Sequence, residues 1–408
     1  MASIIPRPAY LAAIEPYIDQ PLVKVLTGLR RSGKSSLLML VQQELAARGV
    51  PAGHIISLDF DSLGLSNLTT AAALNEYLTS QMSEKGRYYL LLDEIQEVDG
   101  WEKVINSLIA TTDVDIYLTG SNSRLLSSEL ATYIAGRYIA IEVSTLSFSE
   151  HLEFARRAHE TIRPSLADEF STYSRRGGFP GLHGGSYTDQ QLYRAVRDIY
   201  ASALIQDTIS RHGIRNVDML QRVAAFALEN VGNPFSARSV SDYFKSQRRR
   251  IDPETVLSYM SALTESFILT KVPRFDLQGR KLLTINEKYY AGDISLIHAT
   301  LGYSDRHFSG VLENIVLAEL RRRGFSAWVG KLGNQEVDFV AERDGERLYV
   351  QVTVTMSDER TRNRELAPLA AIRDSFPKLV LSLDQHAGGL EAGIHHLWLP
   401  AWLIQEQT

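Results

Sequence analysis

The rhythm of apolar and polar positions changes along the chain and divides it into four stretches. Over residues 1–150, short apolar runs alternate with longer amphipathic ones. Residues 23–27, 54–60, 88–92, 116–119 and 138–143 read as strands, and 35–48 as a helix. Strands alternating with helices predict an α/β fold with a parallel sheet covered on both faces. Residues 151–212 read as mostly helical, broken at Arg176-Gly177-Gly178-Phe179-Pro180-Gly181. Over 213–305 the pattern gives a helix at 217–229, a short one within 235–244 and a third at 253–265. In the third, Val256, Met260 and Leu263 fall at helical spacing. Residues 267–283 then read as two strands around Gln278-Gly279. Three helices followed by a hairpin is the plan of a winged helix. Residues 305–307 form a junction, and 308–408 are again mixed.

Composition narrows the functional classes. At 408 residues the chain is too long for one ordinary core, which fits several domains. No apolar run reaches the roughly 18 residues of a membrane span, so no membrane association is expected. Met1 to Tyr10 lacks a basic stretch followed by an apolar one, so no secretory signal is expected either. The absence of cysteine excludes disulfides, cysteine–zinc sites and thiol catalysis, and suits the cytoplasm. Net charge is −5, which argues against the whole chain being an electrostatic nucleic-acid binder. The distribution is uneven, however. Residues 1–150 carry 11 Lys/Arg against 17 Asp/Glu, while 213–300 carry 12 against 9. The second stretch has the sign that meets a phosphate backbone.

The sharpest chemistry lies in the acidic part. Gly28-Leu29-Arg30-Arg31-Ser32-Gly33-Lys34-Ser35 fits G-x-x-x-x-G-K-S without mismatch, between a strand and a helix, with Ser36 following. Glycines let backbone N–H groups curl around phosphates, and the helix N-terminus adds partial positive charge. Lys34 is expected to reach the β- and γ-phosphates of ATP and Ser35 to hold Mg²⁺. Tyr88-Tyr89-Leu90-Leu91-Leu92-Asp93-Glu94 is an apolar strand ending in two acids. Asp93 suits the metal, and Glu94 suits polarisation of the attacking water. After the strand 116–119, Ser121 and Asn122 both qualify to orient that water. Arg137 precedes the last strand, where an arginine can face a neighbouring subunit's nucleotide or simply cap a helix expected over 129–135. Arg7 and Tyr10 precede the first strand and are candidates to flank the adenine.

Together these residues resemble the AAA+ ATPases, and more narrowly a bacterial and archaeal group with a C-terminal domain long of unknown function. The likeness rests on the loop at 28–35, Leu91-Leu92-Asp93-Glu94-Ile95-Gln96, Leu118-Thr119-Gly120-Ser121, Gly136-Arg137-Tyr138, Leu146-Ser147-Phe148-Ser149-Glu150 and Gly177-Gly178-Phe179-Pro180. The resemblance implies an ATPase core at 1–150, a helical lid at 151–212, a winged helix at 213–305 and a restriction-endonuclease-like domain at 306–408. It also implies a lid arginine over the γ-phosphate, for which Arg194 and Arg197 are candidates, and a homo-oligomer, with a ring as one form.

In a restriction-endonuclease-like fold a helix acid, a strand Asp and a Glu-x-Lys hold Mg²⁺ and activate water. Glu313 matches the helix acid and Asp338 the strand acid, but Gln351 stands for the Glu and Thr353 for the Lys. An amide oxygen is a weaker ligand than a carboxylate, and threonine carries no charge. The site therefore reads as a vestige. Basic residues lie at Lys245, Arg248, Arg249, Arg250, Arg280 and Lys281, where a winged helix meets DNA. Lys271, Arg274, Arg321-Arg322-Arg323, Arg360, Arg362 and Arg364 are further basic positions. The leading expectation is a Mg²⁺-dependent ATPase that binds or remodels duplex or branched DNA. The alternatives are a slow switch ATPase recruiting a protein partner and an ATP-dependent nuclease, which Gln351 and Thr353 disfavour.

Overall fold

The computed structural model describes residues 4–405 apart from 127–133, 135, 158–164, 184, 186 and 387. The chain divides into two compact units, Met1–Val143 with Glu265–Phe267, and Ser144–Thr264 with Ile268–Thr408.

The first unit is built on five parallel strands: β1 (Val23–Thr27), β2 (Ile55–Asp59), β3 (Tyr88–Asp93), β4 (Val114–Gly120) and β5 (Tyr138–Glu142). Their order is β2-β3-β4-β1-β5. The apolar runs of β1, β3 and β4 are buried, as strands covered on both faces require. Alternate residues serve opposite faces. Leu90 and Leu92 join Leu74, Leu78, Val104 and Ile105, from helices Ala71–Gln81 and Trp101–Thr111, on one side. Tyr89 and Leu91 join Tyr10, Ile14, Leu37 and Val41, from Pro8–Ile14 and Lys34–Ala47, on the other. Lys24 breaks the apolar run of β1 yet is wholly buried, in an ion pair with Asp115 of β4. Because β4 sits between β1 and β3, the carboxyl ends of β1 and β3 flank a crevice at the point where the strand order reverses.

The second unit holds the helices Phe148–Arg157, Leu166–Arg176, Asp189–Ser202, Val217–Glu229, Ala237–Ser246, Pro253–Glu265, Ile294–Leu301 and Phe308–Arg322, with a π-helical segment at Ala203–Ser210. Its hairpin, β6 (Leu269–Asp276) and β7 (Lys281–Ala291), runs longer than the sequence pattern suggests. The polar run Asn286-Glu287-Lys288 hides the strand, but its charges are paired: Glu287 with Lys271, and Lys288 with three carboxylates. The strands β8 (Ser326–Leu332), β9 (Gln335–Arg343), β10 (Glu346–Val352), β11 (Lys378–Ser382), β12 (Gly388–Glu391) and β13 (Ile394–Trp398) complete the sheet. Its order is β12-β13-β11-β10-β9-β8-β6-β7, so the hairpin and the C-terminal strands share one sheet.

Two sequence motifs find their physical reason here. Ser147 and Glu150 form a reciprocal capping box at the start of Phe148–Arg157, with bonds of 2.9 and 3.0 Å. Leu146 N–H donates to the Gly178 carbonyl at 2.7 Å, and Gly178 N–H donates to Asp293 at 2.9 Å. A Cβ at Gly178 would lie 2.4 Å from the Leu146 carbonyl oxygen, which explains the glycine there.

Candidate nucleotide site and a closed carboxylate cluster

The loop between β1 and Lys34–Ala47 is shaped by its backbone. Gly28, Arg31 and Gly33 have φ of 147°, 64° and 102°, a left-handed region that glycine reaches freely and arginine does not. A Cβ at Gly28 would come within 2.3 Å of the Val143 carbonyl oxygen at the end of β5. Lys34 is buried, and its ammonium arches back to donate to the Gly28 and Leu29 carbonyls at 3.1 and 3.2 Å. Arg30 is ion-paired with Asp61 at 3.5 Å. Ser35 is exposed and Ser36 half-buried at the helix start. Ser32 is fully buried, and its carbonyl accepts from the Arg7 guanidinium at 3.1 Å. Arg7 is itself buried and stacks 4.4 Å from the Tyr10 ring centre. Arg7 therefore supports the back of the loop: N–H groups that turn inward leave carbonyls that need an outward donor.

The carboxyl ends of β3 and β4 complete the site. Thr119 donates its hydroxyl to Asp93 and accepts the Glu94 N–H at 3.0 Å, so one buried threonine orients both acids. Ser35 also hydrogen-bonds Asp93. Burial raises the Asp93 carboxyl above its ordinary value, and the Thr119 and Ser35 bonds oppose that rise. Glu94 is a buried non-glycine residue at φ 50°, a strained conformation that ends the run of β3. The Gln96 amide donates to that carboxylate. Ser121 and Asn122 are both buried just beyond β4.

Arg137 lies elsewhere. It is exposed at the N-terminal end of β5, its carbonyl accepting from Val23 N–H at 3.0 Å. From Val23 to Thr27 the strand spans about 13 Å at ~3.3 Å per residue, so Arg137 sits at the end of the sheet opposite its own loop. The helix expected over 129–135 falls, Ile134 apart, outside the described residues. Arg197 donates to the Ala299 carbonyl at 3.3 Å within the second unit, and Arg194 is exposed.

In the second unit the residues singled out for a vestigial nuclease site converge: Glu313 from Phe308–Arg322, Asp338 from β9 and Gln351 from β10. Lys288 of β7 stands among them. Its ammonium lies 2.8 Å from Glu336, 3.4 Å from Glu313 and 3.9 Å from Asp338. Tyr290 donates to Glu313 at 2.8 Å and Val352 N–H to Asp338 at 2.8 Å. Gln351 accepts from Asp338 N–H at 3.3 Å and donates to Glu365 at 2.9 Å. Burial raises the Asp338 carboxyl well above its usual value, and Glu313 reinforces the rise. Burial works against the Lys288 charge, but Glu313, Asp338 and Glu336 outweigh it and raise its pKa. The Thr353 hydroxyl is bonded to the Thr355 carbonyl instead.

The basic positions also separate. Lys245, Arg248, Arg249, Arg250, Arg280 and Lys281 are exposed, with Arg249 paired to Asp218 at 3.0 Å. Arg322 and Arg323 are instead held by Glu319 and by backbone carbonyls. Arg362 pairs with Glu391, Arg364 with Glu365, Lys271 with Glu287 and Arg274 with Glu336.

Residues 20–152 match the AAA domain family, and residues 167–307 match a domain of unknown function (DUF8612). With the five-strand sheet and the loop at its switch point, the first unit is an AAA-type P-loop ATPase domain. The chain is 33% identical over 406 residues to an uncharacterized protein of Haemophilus influenzae, covering 99% of each, and belongs to that protein's family. An uncharacterized protein of Methanocaldococcus jannaschii is 28% identical over 362 residues, 86% of this chain and 79% of that one. Among solved structures, the Walker-type ATPase of Pyrococcus abyssi shares the fold, with a TM-score of 0.50 and 15% identity. The match covers 73% of this chain and 96% of that one. No described helix is long and apolar enough to cross a membrane.

Proposed function

We propose that the chain is a Mg²⁺-dependent ATPase whose nucleotide cycle acts on DNA held by the second unit. The observation that carries the ATPase reading is that Asp93 bonds Ser35 of the glycine-loop helix and, through Thr119, is joined to Glu94. The loop suits a nucleotide: Gly28 and Gly33 take left-handed backbone, and a Cβ at Gly28 would collide with Val143. Ser35 and Asp93 would hold Mg²⁺, which supplies charge to neutralise phosphate oxygens. A magnesium site of this kind needs only one or two carboxylates, because phosphates and waters complete it. Lys34 binds the phosphates. Glu94, held by Gln96 beside Asp93, takes a proton from the attacking water. Ser121 and Asn122 remain the candidates to orient that water. Arg137 acts on a neighbouring copy's nucleotide in a homo-oligomer, a reading supported by its place at the far end of the sheet.

The DNA reading is supported by six exposed cations at 245–250 and the hairpin tip, of which Arg249 is paired with Asp218 and Lys281 interacts with Asp276. Of these, Arg248, Arg249 and Arg250 sit in the loop before Pro253–Glu265, Lys245 ends the helix Ala237–Ser246, and none lies on Pro253–Glu265, whose outward residues Glu254, Leu257, Ser258 and Ser261 carry no positive charge. Contact with phosphates from the loop and hairpin, and not base reading by the helix, is the mode this distribution favours. The same helix face supports the second reading, a switch ATPase that recruits a protein. Leu257 is 48% exposed, and Leu282 of the hairpin is 55% exposed.

Measurement of ATP turnover with and without duplex, branched and single-stranded DNA separates the two. Stimulation that falls steeply with salt, and falls again on charge reversal at Arg248 and Arg250, supports the DNA reading. Turnover indifferent to every DNA, with no salt-sensitive binding, sinks it in favour of the switch.

A further inference from the structure

We propose that Lys288 is the resident cation of the C-terminal carboxylate cluster. Its ammonium takes the place a divalent ion would take among Glu313, Glu336 and Asp338, and the cluster is closed to metal. This inference stands apart from the ATPase reading. Three carboxylates from a helix and a strand converge on one nitrogen at 2.8–3.9 Å, and its side chain is 3% exposed. A hard divalent ion asks for about six oxygen ligands with lone pairs to spare. Here each of these groups already holds a donor or a cation. Asp338 receives Val352 N–H, Glu313 receives Tyr290, Glu336 faces Arg274, and the Gln351 oxygen receives Asp338 N–H. A metal at the focus would also sit against the ammonium, and like charges repel most strongly where water is excluded. Accordingly, no group of three acidic or histidine side chains among the described residues is arranged to hold a metal.

Lys288 does more than neutralise. It bridges in antiparallel fashion to Pro234, Phe235 N–H donates to the Glu287 carbonyl at 2.8 Å, and a Cβ at Gly232 would lie 3.1 Å from Glu313. The ammonium therefore ties the strands β7 and β9 and the helix Phe308–Arg322 at one point, while the β7 backbone beside it holds the turn before Ala237–Ser246. An internal ammonium does this whatever the metal supply, which a bound ion would not.

The test is Mn²⁺ titration of the nucleotide-free full chain, followed by electron paramagnetic resonance and by thermal melting. It is run in a Lys34→Ala background to keep the phosphate loop out of the readout. The parent is expected to bind no Mn²⁺ at the cluster and to melt at the same temperature with and without it. Lys288→Ala should melt lower, gain one Mn²⁺ site, recover part of its melting temperature on adding the ion, and lose that site again with Asp338→Asn. An Asp338-dependent Mn²⁺ site in the parent, or Mn²⁺-dependent DNA cleavage abolished by Asp338→Asn, overturns the proposal. So does a folded Lys288→Ala that gains no site. Should the alanine variant not fold, the parent titration decides. Absence of a site there, together with a Lys288→Arg variant that also binds no Mn²⁺, supports the proposal.

Discussion

The chain carries two buried carboxylate centres that use the same atoms to opposite ends. At the end of β3, Asp93 and Glu94 are met by neutral partners: hydroxyls of Thr119 and Ser35 and the amide of Gln96. At the start of β9, Glu336 and Asp338 are met, with Glu313, by a lysine ammonium. A hydroxyl orients a carboxylate without cancelling its charge, and so leaves it free to hold a cation or take a proton. An ammonium cancels the charge and fills the space. Whether a pair of acids is chemistry or cement is decided by the partner, and the partner is seldom adjacent in sequence.

Substitution at the two centres should therefore show opposite signatures. The largest effects belong to the first. Lys34→Ala and Glu94→Gln should each lower ATP turnover by about 100-fold or more, the range in which proton transfer and phosphate charge act. Glu94→Gln should keep its affinity for Mg²⁺ and ATP. Phosphate release with a nucleotide titration checks both, and wild-type turnover in either variant breaks the assignment.

The next pair sets the centres against each other. Asp93→Asn should cost turnover about as heavily while leaving the melting temperature near that of the parent. Asp338→Asn should do the reverse: turnover within about twofold, and stability lower by about 1–3 kcal/mol, the cost of spoiling a buried charged hydrogen bond. Denaturant unfolding beside a turnover assay reads both, and equal effects of Asp338→Asn on the two would erase the distinction.

A smaller effect is expected at the hydroxyl. Thr119→Val keeps the shape and removes the bond to Asp93 and the acceptor for Glu94 N–H. At about 1–2 kcal/mol this is roughly a 5- to 30-fold loss of kcat/KM. Thr119→Ser should restore most of it, which a purely packing role would not require.

The smallest effect lies one layer further out. Arg7→Ala withdraws the donor behind the Ser32 carbonyl and should raise KM for ATP by roughly 3- to 10-fold, less than the full worth of a charged hydrogen bond because the loss reaches the nucleotide only through the loop. It should leave kcat nearly unchanged, because Arg7 touches the cradle and not the reacting atoms. Steady-state kinetics reads the split. A change confined to kcat would show that Arg7 acts elsewhere.

Much of the first centre was legible in the residues alone, because its demands are local. A glycine loop between strand and helix, and two acids closing an apolar strand, are written in consecutive positions, and each position has a backbone reason. Thr119 was in view as part of Leu118-Thr119-Gly120-Ser121, but its tie to Asp93 depends on β4 lying beside β3, which no local pattern states. Arg7 was in view before the first strand only as a candidate to flank the adenine. That it stacks on Tyr10 and supports the loop follows from how Pro8–Ile14 packs on the sheet.

The second centre was half legible. Glu313, Asp338 and Gln351 were picked out by the resemblance to a restriction-endonuclease-like fold, with Gln351 and Thr353 standing where that fold has Glu and Lys. Lys288 was not picked out, because a lysine between Glu287 and Tyr289 looks like the solvated side of a strand. Glu336 and Glu365 carried no signal of their own either. The sequence by itself determined the strand-and-helix alternation, the phosphate loop and the acids at the ends of two strands. Those follow from dihedral preference and apolar periodicity, which act between near neighbours. Tertiary structure alone decided which acids keep their charge. That depends on residues 288, 313, 336, 338, 351 and 365 meeting in one dry place, where Coulomb forces are strong. Only the pairing of strands far apart in the chain brings them there.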